Sequence, residues 1–191
     1  MGELRCGPTV PSQWVELVNE AQQNCNTWLS EVIESYLVFM LIRFMAYPQI
    51  LNSVLGMDLL KSAHSVGEQR RLMLRDVGDS CLLVSGLFPG RIEKKHLKIS
   101  YFVHLGQFAY GTLSLEISSE TGKLYDGLCN GFVKLMDVLQ AIRSLDANRS
   151  DALMPIQAFD QWHETGSQQA FRSLRDVTGA IPIIHGSNRL C

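Results

Sequence analysis

The sequence predicts an all-α fold, a single domain built as a bundle of about six to eight helices around a central apolar helix. Three observations lead to this prediction. The 191 residues are 46% hydrophobic and only 19% charged, which is typical of one globular domain and not of a disordered chain. Apolar residues recur at spacings of three and four over most of the chain. Glycine and proline stand where these stretches should begin or end.

The central helix is predicted from the most apolar stretch of the chain. Residues 36–47 read YLVFMLIRFMAY, in which Arg43 is the one charged residue. These twelve residues are too few to cross a membrane, which takes about 20. We therefore expect a helix from Trp28 to Tyr47 whose second half, at residues 36–47, is buried on all sides. A more polar helix is expected before it, at residues 12–24.

Two further helices are predicted before residue 90. Pro48 ends the central helix, because the residue before a proline avoids helical geometry. Pro48 can also open the next helix, whose apolar residues continue to Leu60. Ser65 and Glu68 have the spacing of a capping box, which predicts Ser65 as the N-cap of a helix that runs to about Leu87.

Residues 96–118 have two interpretations. Strict alternation of apolar and polar residues at 96–105 and again at 112–118 indicates strands, so a β-hairpin and an α+β fold stay open as the alternative. The connecting residues 106–111 lack a two-residue hairpin turn, and a lone hairpin would leave two unpaired edges. As a helix, the same residues place their apolar side chains on one broad face. The helix is therefore preferred.

The cleanest amphipathic pattern of the chain lies at residues 120–146. Its apolar stripe can act as a dimerisation face or lie entirely in the core. Its positions are Leu124, Leu128, Phe132, Leu135, Leu139 and Ile142. Later helices are expected from Pro155 and around Ala170. Residues 1–11 and 180–191 are predicted to be loosely attached termini of the one domain.

Composition and cysteine usage exclude several classes of protein. Lys+Arg number 17 against Asp+Glu 19, so the net charge of -2 supplies no general attraction to nucleic acid. No apolar stretch has the length of a membrane span, and the N-terminal residues contain no apolar core of signal-peptide length. The five cysteines are widely spaced and form no CxxC pair, which indicates a reduced, cytoplasmic protein. No histidine spacing matches a metal-binding motif, and no phosphate loop occurs, so neither a metal nor a cofactor is predicted.

Two aspartates within an apolar helical pattern are the most unusual feature of the sequence. Asp76 and Asp79 lie on or beside the apolar arc of the helix that ends near Leu87, where a carboxylate is costly unless it is paired. Arg75 is four residues before Asp79 and can pair with it along the helix. A functional interpretation makes them the centre of a polar pocket, and a structural one makes them a buried salt-bridge network. The candidate cluster comprises Arg75, Asp76, Asp79, Tyr101, His104 and Tyr110.

A resemblance to known sequences covers residues 70–115. The runs LRDVGDSCLLVSGLFPG and YFVHLGQFAYGTLS are similar to a pattern shared by uncharacterised bacterial proteins of about this length, which here has the spacing GD-x-x-L-x-x-x-G-L-F followed by Y-F-x-x-x-G-x-x-A-Y. The resemblance implies a bacterial cytoplasmic protein and a helix rather than a hairpin, and it implies no activity, cofactor or partner. The matching residues are Gly78, Asp79, Leu82, Gly86, Phe88, Tyr101, Phe102, Gly106, Ala109 and Tyr110.

Many well-patterned helices without a catalytic motif favour a non-enzymatic protein-interaction or self-assembly module, such as a homodimer. The alternative is an enzyme or small-molecule sensor with a polar pocket in the helical core. Convergence of the candidate cluster on a cavity would favour the alternative. Burial of Asp79 against a cation, with no such convergence, would favour the interaction module.

Overall fold

In the computed structural model, residues 9–48, 55–93, 97–145 and 154–179 are described, and they form ten α-helices and no strand. The predicted all-α class is confirmed for these residues, with more helices than expected because one predicted helix is divided and α5 is a single short turn. The helices are α1 (Val10–Cys25), α2 (Glu31–Ala46), α3 (Leu55–Ala63), α4 (Gly67–Leu87), α5 (Pro89–Glu93), α6 (Ile99–Glu116), α7 (Glu120–Asn130), α8 (Phe132–Leu145), α9 (Pro155–Thr165) and α10 (Gln168–Thr178).

The expected loose termini fall mostly outside the described residues. Residues 1–8 and 180–191 are not among them, and neither are residues 49–54, where the helix opened by Pro48 was expected to begin. Val10 and Pro11 already belong to α1, whose N-cap is Thr9. The Thr9 hydroxyl oxygen accepts a hydrogen bond from the backbone N–H of Ser12 at 3.4 Å, which satisfies one of the free donors of the first turn.

The helix at the centre of the bundle is α4. It packs against α3, α5, α6 and α8, and every residue from Val77 to Gly86 is buried. The prediction that the Trp28–Tyr47 helix is central was wrong, because α2 packs mainly on α1 and α7 and leaves Val32, Phe39 and Met45 exposed. Small residues within α4 let neighbours approach it from several sides, so apolar content alone was a poor guide to burial.

Residues 99–116 form the helix α6, so the β-hairpin alternative is excluded. The buried face of α6 carries Phe102, Val103, Gly106, Ala109, Tyr110 and Leu113. The exposed face also carries large apolar side chains, among them Phe108 and Leu115. Apolar residues on two opposite faces of one helix produce the local alternation that indicated strands.

The amphipathic stretch at 120–146 forms two helices instead of one. Asn130 ends α7, and Gly131 separates it from α8, which begins at Phe132. The side chains of Leu128, Phe132, Leu135 and Leu139 are completely buried. This stripe is therefore core, and it does not provide the dimerisation face that the sequence left open.

The start of α4 also differs from the sequence prediction. The N-cap of α4 is Val66, with no side-chain cap, and the helix begins at Gly67. The Ser65 hydroxyl instead donates to the backbone oxygen of Lys61 at 3.1 Å, at the end of α3. The predicted capping box was wrong because Ser65 is bonded to the preceding helix.

Close packing around α4 depends on glycines that face large side chains. A Cβ atom at Gly78 would lie 2.5 Å from the ring of Tyr110, and one at Gly86 would lie 2.5 Å from the Cβ of Leu139. On α6, the ring of Phe132 occupies the corresponding space at Gly106. At all three glycines the closely approaching neighbour is a side chain and not backbone.

Candidate functional site

The Asp79 carboxylate lies in the core and is bonded by side chains of two neighbouring helices. Asp79 lies in the middle of α4 and is 1% exposed. The hydroxyl groups of Tyr36 and Tyr110 donate to Oδ1 at 2.7 and 2.6 Å. The Arg43 guanidinium donates to Oδ2 through Nη2. Both carboxylate oxygens therefore have partners, and one of these partners carries a full positive charge.

Local sequence explains how these four side chains meet. Tyr36 and Arg43 are seven residues apart on α2, so they project from one face of that helix toward α4. Tyr110 projects from the buried face of α6. Its ring fits against α4 because the residue before Asp79 is Gly78, which has no side chain to obstruct it. Gly78 and Asp79 thus both take part in the contact between Tyr110 and α4.

Burial and charge set the protonation of this cluster. Desolvation raises the pKa of Asp79, and Arg43 together with the two tyrosine hydroxyls opposes that rise. Burial and the Asp79 charge hold the pKa values of Tyr36 and Tyr110 well above the ordinary tyrosine value. Both tyrosines consequently remain protonated donors over the physiological pH range.

A second layer of charge lies at the surface above Asp79. Asp76 has a 46% exposed side chain and accepts a hydrogen bond from Arg75 at 3.1 Å. Arg43 is 3.5 Å from the same carboxylate, so it contacts both aspartates. The predicted pairing of Arg75 with Asp79 was wrong. The cation that binds Asp79 is Arg43 of α2, and Arg75 binds the more exposed Asp76.

Two residues of the predicted cluster lie elsewhere. Tyr101 and His104 are exposed, on the face of α6 opposite Tyr110. The Tyr101 ring packs edge-on against Phe102, with a centroid distance of 5.2 Å. The structure thus brings together Arg75, Asp76, Asp79 and Tyr110, and it separates Tyr101 and His104 from them.

Three residues of the observed cluster were missing from the prediction. Arg43 had a signal in the sequence, since it is the one charge in the run from 36 to 47, and Tyr36 lies on its helical face. Tyr125 of α7 had none. Its ring stacks on Tyr110 at 6.1 Å and meets Tyr36 edge-on at 6.2 Å. These rings close the cluster from the α7 side.

The cluster has the chemistry of a structural network. Among the described residues, no buried side-chain nitrogen or oxygen lacks a hydrogen-bond partner. The same residues contain no group of three His, Cys, Asp or Glu side chains arranged to hold a metal ion. Both carboxylate oxygens of Asp79 are therefore bonded within the protein, and their partners join α2 and α6 to α4.

A second buried carboxylate, Asp137 of α8, binds the start of α10. The Ser167 hydroxyl donates to its Oδ1 at 2.6 Å, and the Gln168 backbone N–H donates to Oδ2 at 2.9 Å. Burial raises the pKa of Asp137 to about 6, against the opposing effect of Ser167 and the backbone donors. Asp137 belongs to the polar side of the amphipathic pattern at residues 120–146, and docking of α10 buries it.

An open cleft of about 440 Å³ lies beside Asp137. Three helix junctions line it, those between α1 and α2, α7 and α8, and α9 and α10. The side chain of Trp28 is 64% exposed at this cleft, and Lys134 also lines it. Both Asp137 oxygens are already bonded within the protein, so this carboxylate is not free to select a ligand in the cleft.

Large apolar side chains are exposed along the outer face of α6. Phe108 and Leu115 are 60% and 86% exposed. Tyr101 and His104 lie on the same side, and the exposed Leu97 precedes the first turn. We call these five residues the α6 stripe. It contains no Asp, Glu, Lys or Arg.

Comparison of the chain with family models, curated proteins and solved structures found no match. The resemblance to bacterial sequences therefore stays a prediction. The structure does explain why several residues of that pattern occur together, since Gly78, Asp79 and Tyr110 form one contact. Within the described residues, no helix combines the length and apolar composition that a membrane crossing requires.

Proposed function

We propose that this chain is a non-enzymatic protein-interaction module and that the α6 stripe is its binding surface. The observation that carries the proposal is the exposure of Phe108 and Leu115 on a helix whose other face is fully packed. Soluble monomers rarely expose contiguous apolar surface of more than a few hundred Å². An aromatic side chain supplies much contact area at an interface for little loss of conformational entropy.

The pairing of Asp79 supports this proposal over an enzyme or a small-molecule sensor. A catalytic carboxylate must reach the proton or atom on which it acts. Asp79 is 1% exposed and is bonded by Arg43, Tyr36 and Tyr110. Tyr101 and His104, the groups that would have completed a polar pocket, belong to the α6 stripe instead.

The cysteines and the charge balance support a cytoplasmic location and a protein partner. Cys25, Cys81 and Cys129 are free thiols, and unpaired cysteines are typical of reducing compartments. The net charge of -2 argues against nucleic acid as the partner. The proposal also includes a bacterial origin, and its one basis is the resemblance of residues 70–115 to bacterial sequences.

The test compares two variants with matched substitutions. Phe108→Glu places a charge at the centre of the α6 stripe, and Phe39→Glu does so on the outer face of α2, where Phe39 is 67% exposed. We expect Phe108→Glu to abolish association, whether with itself or with proteins captured from cells, while Phe39→Glu leaves it unchanged. Association that survives Phe108→Glu in both assays would refute the proposal.

A further inference from the structure

We propose that the α6 stripe binds the same stripe of a second copy of this chain, with the two helices antiparallel about a twofold axis at the level of Gly106. This inference rests on the proposed function and names the partner. In the parts of the chain that the structure describes, Phe108 and Leu115 remain largely uncovered. Only a self-complementary surface can form such an isologous contact.

The stripe has the shape of a helix–helix seam. Successive α-helical residues are about 100° apart, so its four residues within α6 fall in an arc of roughly 60°. A seam of this width is typical of two helices packed side by side. At a rise of about 1.5 Å per residue, the part of the stripe from Tyr101 to Leu115 is roughly 21 Å long. Leu97 extends it by a short segment before the helix.

The order of side chains along the stripe fits antiparallel pairing. His104 and Phe108 both lie two residues from Gly106, on opposite sides, and Leu97 and Leu115 both lie nine residues from it. In two antiparallel copies, His104 would therefore meet the aromatic ring of Phe108 of the second copy beside the axis, twice. Leu97 would lie close to Leu115 of the second copy, at both ends.

Tyr101 and Gly111 add a match of size. Each lies five residues from Gly106, on opposite sides. Antiparallel pairing would thus set the largest side chain of the stripe over a residue with no side chain. Gly111 is half-buried at the edge of the stripe, and a Cβ atom there would lie 3.5 Å from the Cys129 sulfur, at ordinary van der Waals distance. Large-against-small contacts of this kind let helix surfaces interlock.

Electrostatics at the two ends of α6 favour the same orientation. Antiparallel pairing opposes the two helix dipoles. It also brings Lys98, at the N-cap and 71% exposed, toward the C-terminal end of α6 of the second copy, which is the negative end of that helix dipole. Lys98 has a contact within its own chain, with Glu164, and keeps most of its side chain in solvent. Parallel pairing would bring Lys98 toward Lys98.

The outer face of α2 is the competing apolar surface, and its charge disfavours self-pairing. Phe39 is 67% exposed there, but Glu31 is exposed in the first turn of the same helix. Arg43, the only Lys or Arg between residues 31 and 60, is bound to Asp79. Antiparallel pairing through α2 would bring Glu31 to the negative C-terminal end of the other helix, and parallel pairing would bring it toward another Glu31. The first turn of α6 has no acidic residue, so pairing through the α6 stripe avoids both costs.

The first test measures the mass of the full chain in solution. Sedimentation velocity over a range of micromolar concentrations should show a dimer that dissociates on dilution, because one helix seam gives a small interface. Phe108→Glu should be monomeric at every concentration, and Phe39→Glu should behave as the unmodified chain. A monomeric unmodified chain, or a dimer lost with Phe39→Glu but not with Phe108→Glu, would overturn the inference.

The second test determines orientation by thiol cross-linking. In a background with Cys6→Ser, Cys129→Ser and Cys191→Ser, one protein carries Leu97→Cys and the other Leu115→Cys. A short bis-maleimide reagent should cross-link the mixture and neither protein alone, since the two positions approach each other only between antiparallel copies. Cross-linking of each protein alone, or no cross-linking of a mixture that sediments as a dimer, would contradict the proposed pairing.

The two proposals fail in different ways. If the unmodified chain is monomeric and Phe108→Glu abolishes capture of a different protein, the homodimer is refuted and the interaction module stands. If Phe108→Glu changes neither the mass nor the captured proteins, both are refuted.

Discussion

The ring of Tyr110 lies directly over Gly78 and its hydroxyl bonds to the next residue, Asp79, at 2.6 Å. The Tyr110 side chain of α6 thus contacts two consecutive residues of α4. Gly78 leaves room for its ring, and Asp79 accepts its hydrogen bond. This contact joins the two helices that pack most extensively in the bundle. The same side chain therefore packs the core and supplies a hydrogen bond to the buried Asp79 carboxylate.

Replacing Gly78 with alanine should destabilise the protein strongly. The added Cβ would lie 2.5 Å from the Tyr110 ring, which would have to move and weaken its bond to Asp79. Overpacking of a core typically costs about 1 to 3 kcal/mol, and we expect the upper part of that range. Urea denaturation measures the loss. Gly90→Ala is the control, because a Cβ there meets no atom within 4 Å and should leave stability nearly unchanged.

Asp79→Asn should also destabilise the protein, but it should not by itself impair the protein's function. The substitution leaves the Arg43 guanidinium without its buried counterion, and breaking such a pair typically costs about 3 to 5 kcal/mol. Arg43 retains 29% side-chain exposure, so we expect about 3 kcal/mol. Asp76→Asn is the control, since exposed pairs contribute about 1 kcal/mol or less. Equal effects of the two variants would contradict the assigned roles.

Stability should increase as the pH falls from 7 toward 5. Burial raises the pKa of Asp137 to about 6 from 3.8, so the folded state binds this proton more tightly than the unfolded state does. The free energy of unfolding therefore decreases as the pH rises through the folded-state pKa. This one group contributes about 1 kcal/mol of that change between pH 5 and 7. The raised pKa of Asp79 acts in the same direction.

Urea denaturation at several pH values, on the unmodified chain and on Asp137→Asn, isolates the contribution of this one carboxyl group. The difference in stability between the two proteins should change between pH 7 and 5, in favour of the unmodified chain at the lower pH. A difference that stays constant over this window would show that Asp137 has an ordinary pKa.

Leu115→Ser should leave stability unchanged and weaken association. Leu115 is 86% exposed, so replacing it removes almost no packing within the chain. At the end of the α6 stripe it would lie close to Leu97 of a second copy, and its loss should raise the dimer dissociation constant severalfold. Sedimentation equilibrium measures that constant. Leu113→Ser, a completely buried neighbour on α6, is the contrast and should unfold the protein or lower its stability by several kcal/mol.

The helical class followed from sequence periodicity, because the spacing of apolar residues is a local property that each helix retains. Periodicity did not show which face of α6 is buried. That helix is apolar on both sides, so nothing local distinguished Tyr110, which is buried, from Tyr101 and Phe108, which are exposed. Inclusion of Tyr101 and His104 in a polar pocket was a consequence of that ambiguity.

The partner of Asp79 depended on tertiary structure in the same way. Spacing within one helix favoured Arg75, whereas the observed cation, Arg43, arrives from α2. The sequence did mark both ends of this pair, since each is a charge in an apolar pattern. Asp137 shows the opposite case, in which a residue on a polar face is buried by α10. Only the assembled fold shows which surfaces another element covers.

The central claim is that the α6 stripe performs the interaction and contributes little to the fold, which the core around Asp79 maintains. The most direct measurement determines both the melting temperature and the sedimentation mass of Phe108→Glu. We expect complete loss of the dimer, because Phe108 is 60% exposed and contributes little to the core. At concentrations at which the unmodified chain is also monomeric, the two proteins should have the same melting temperature. A lowered melting temperature with the dimer intact would contradict the account.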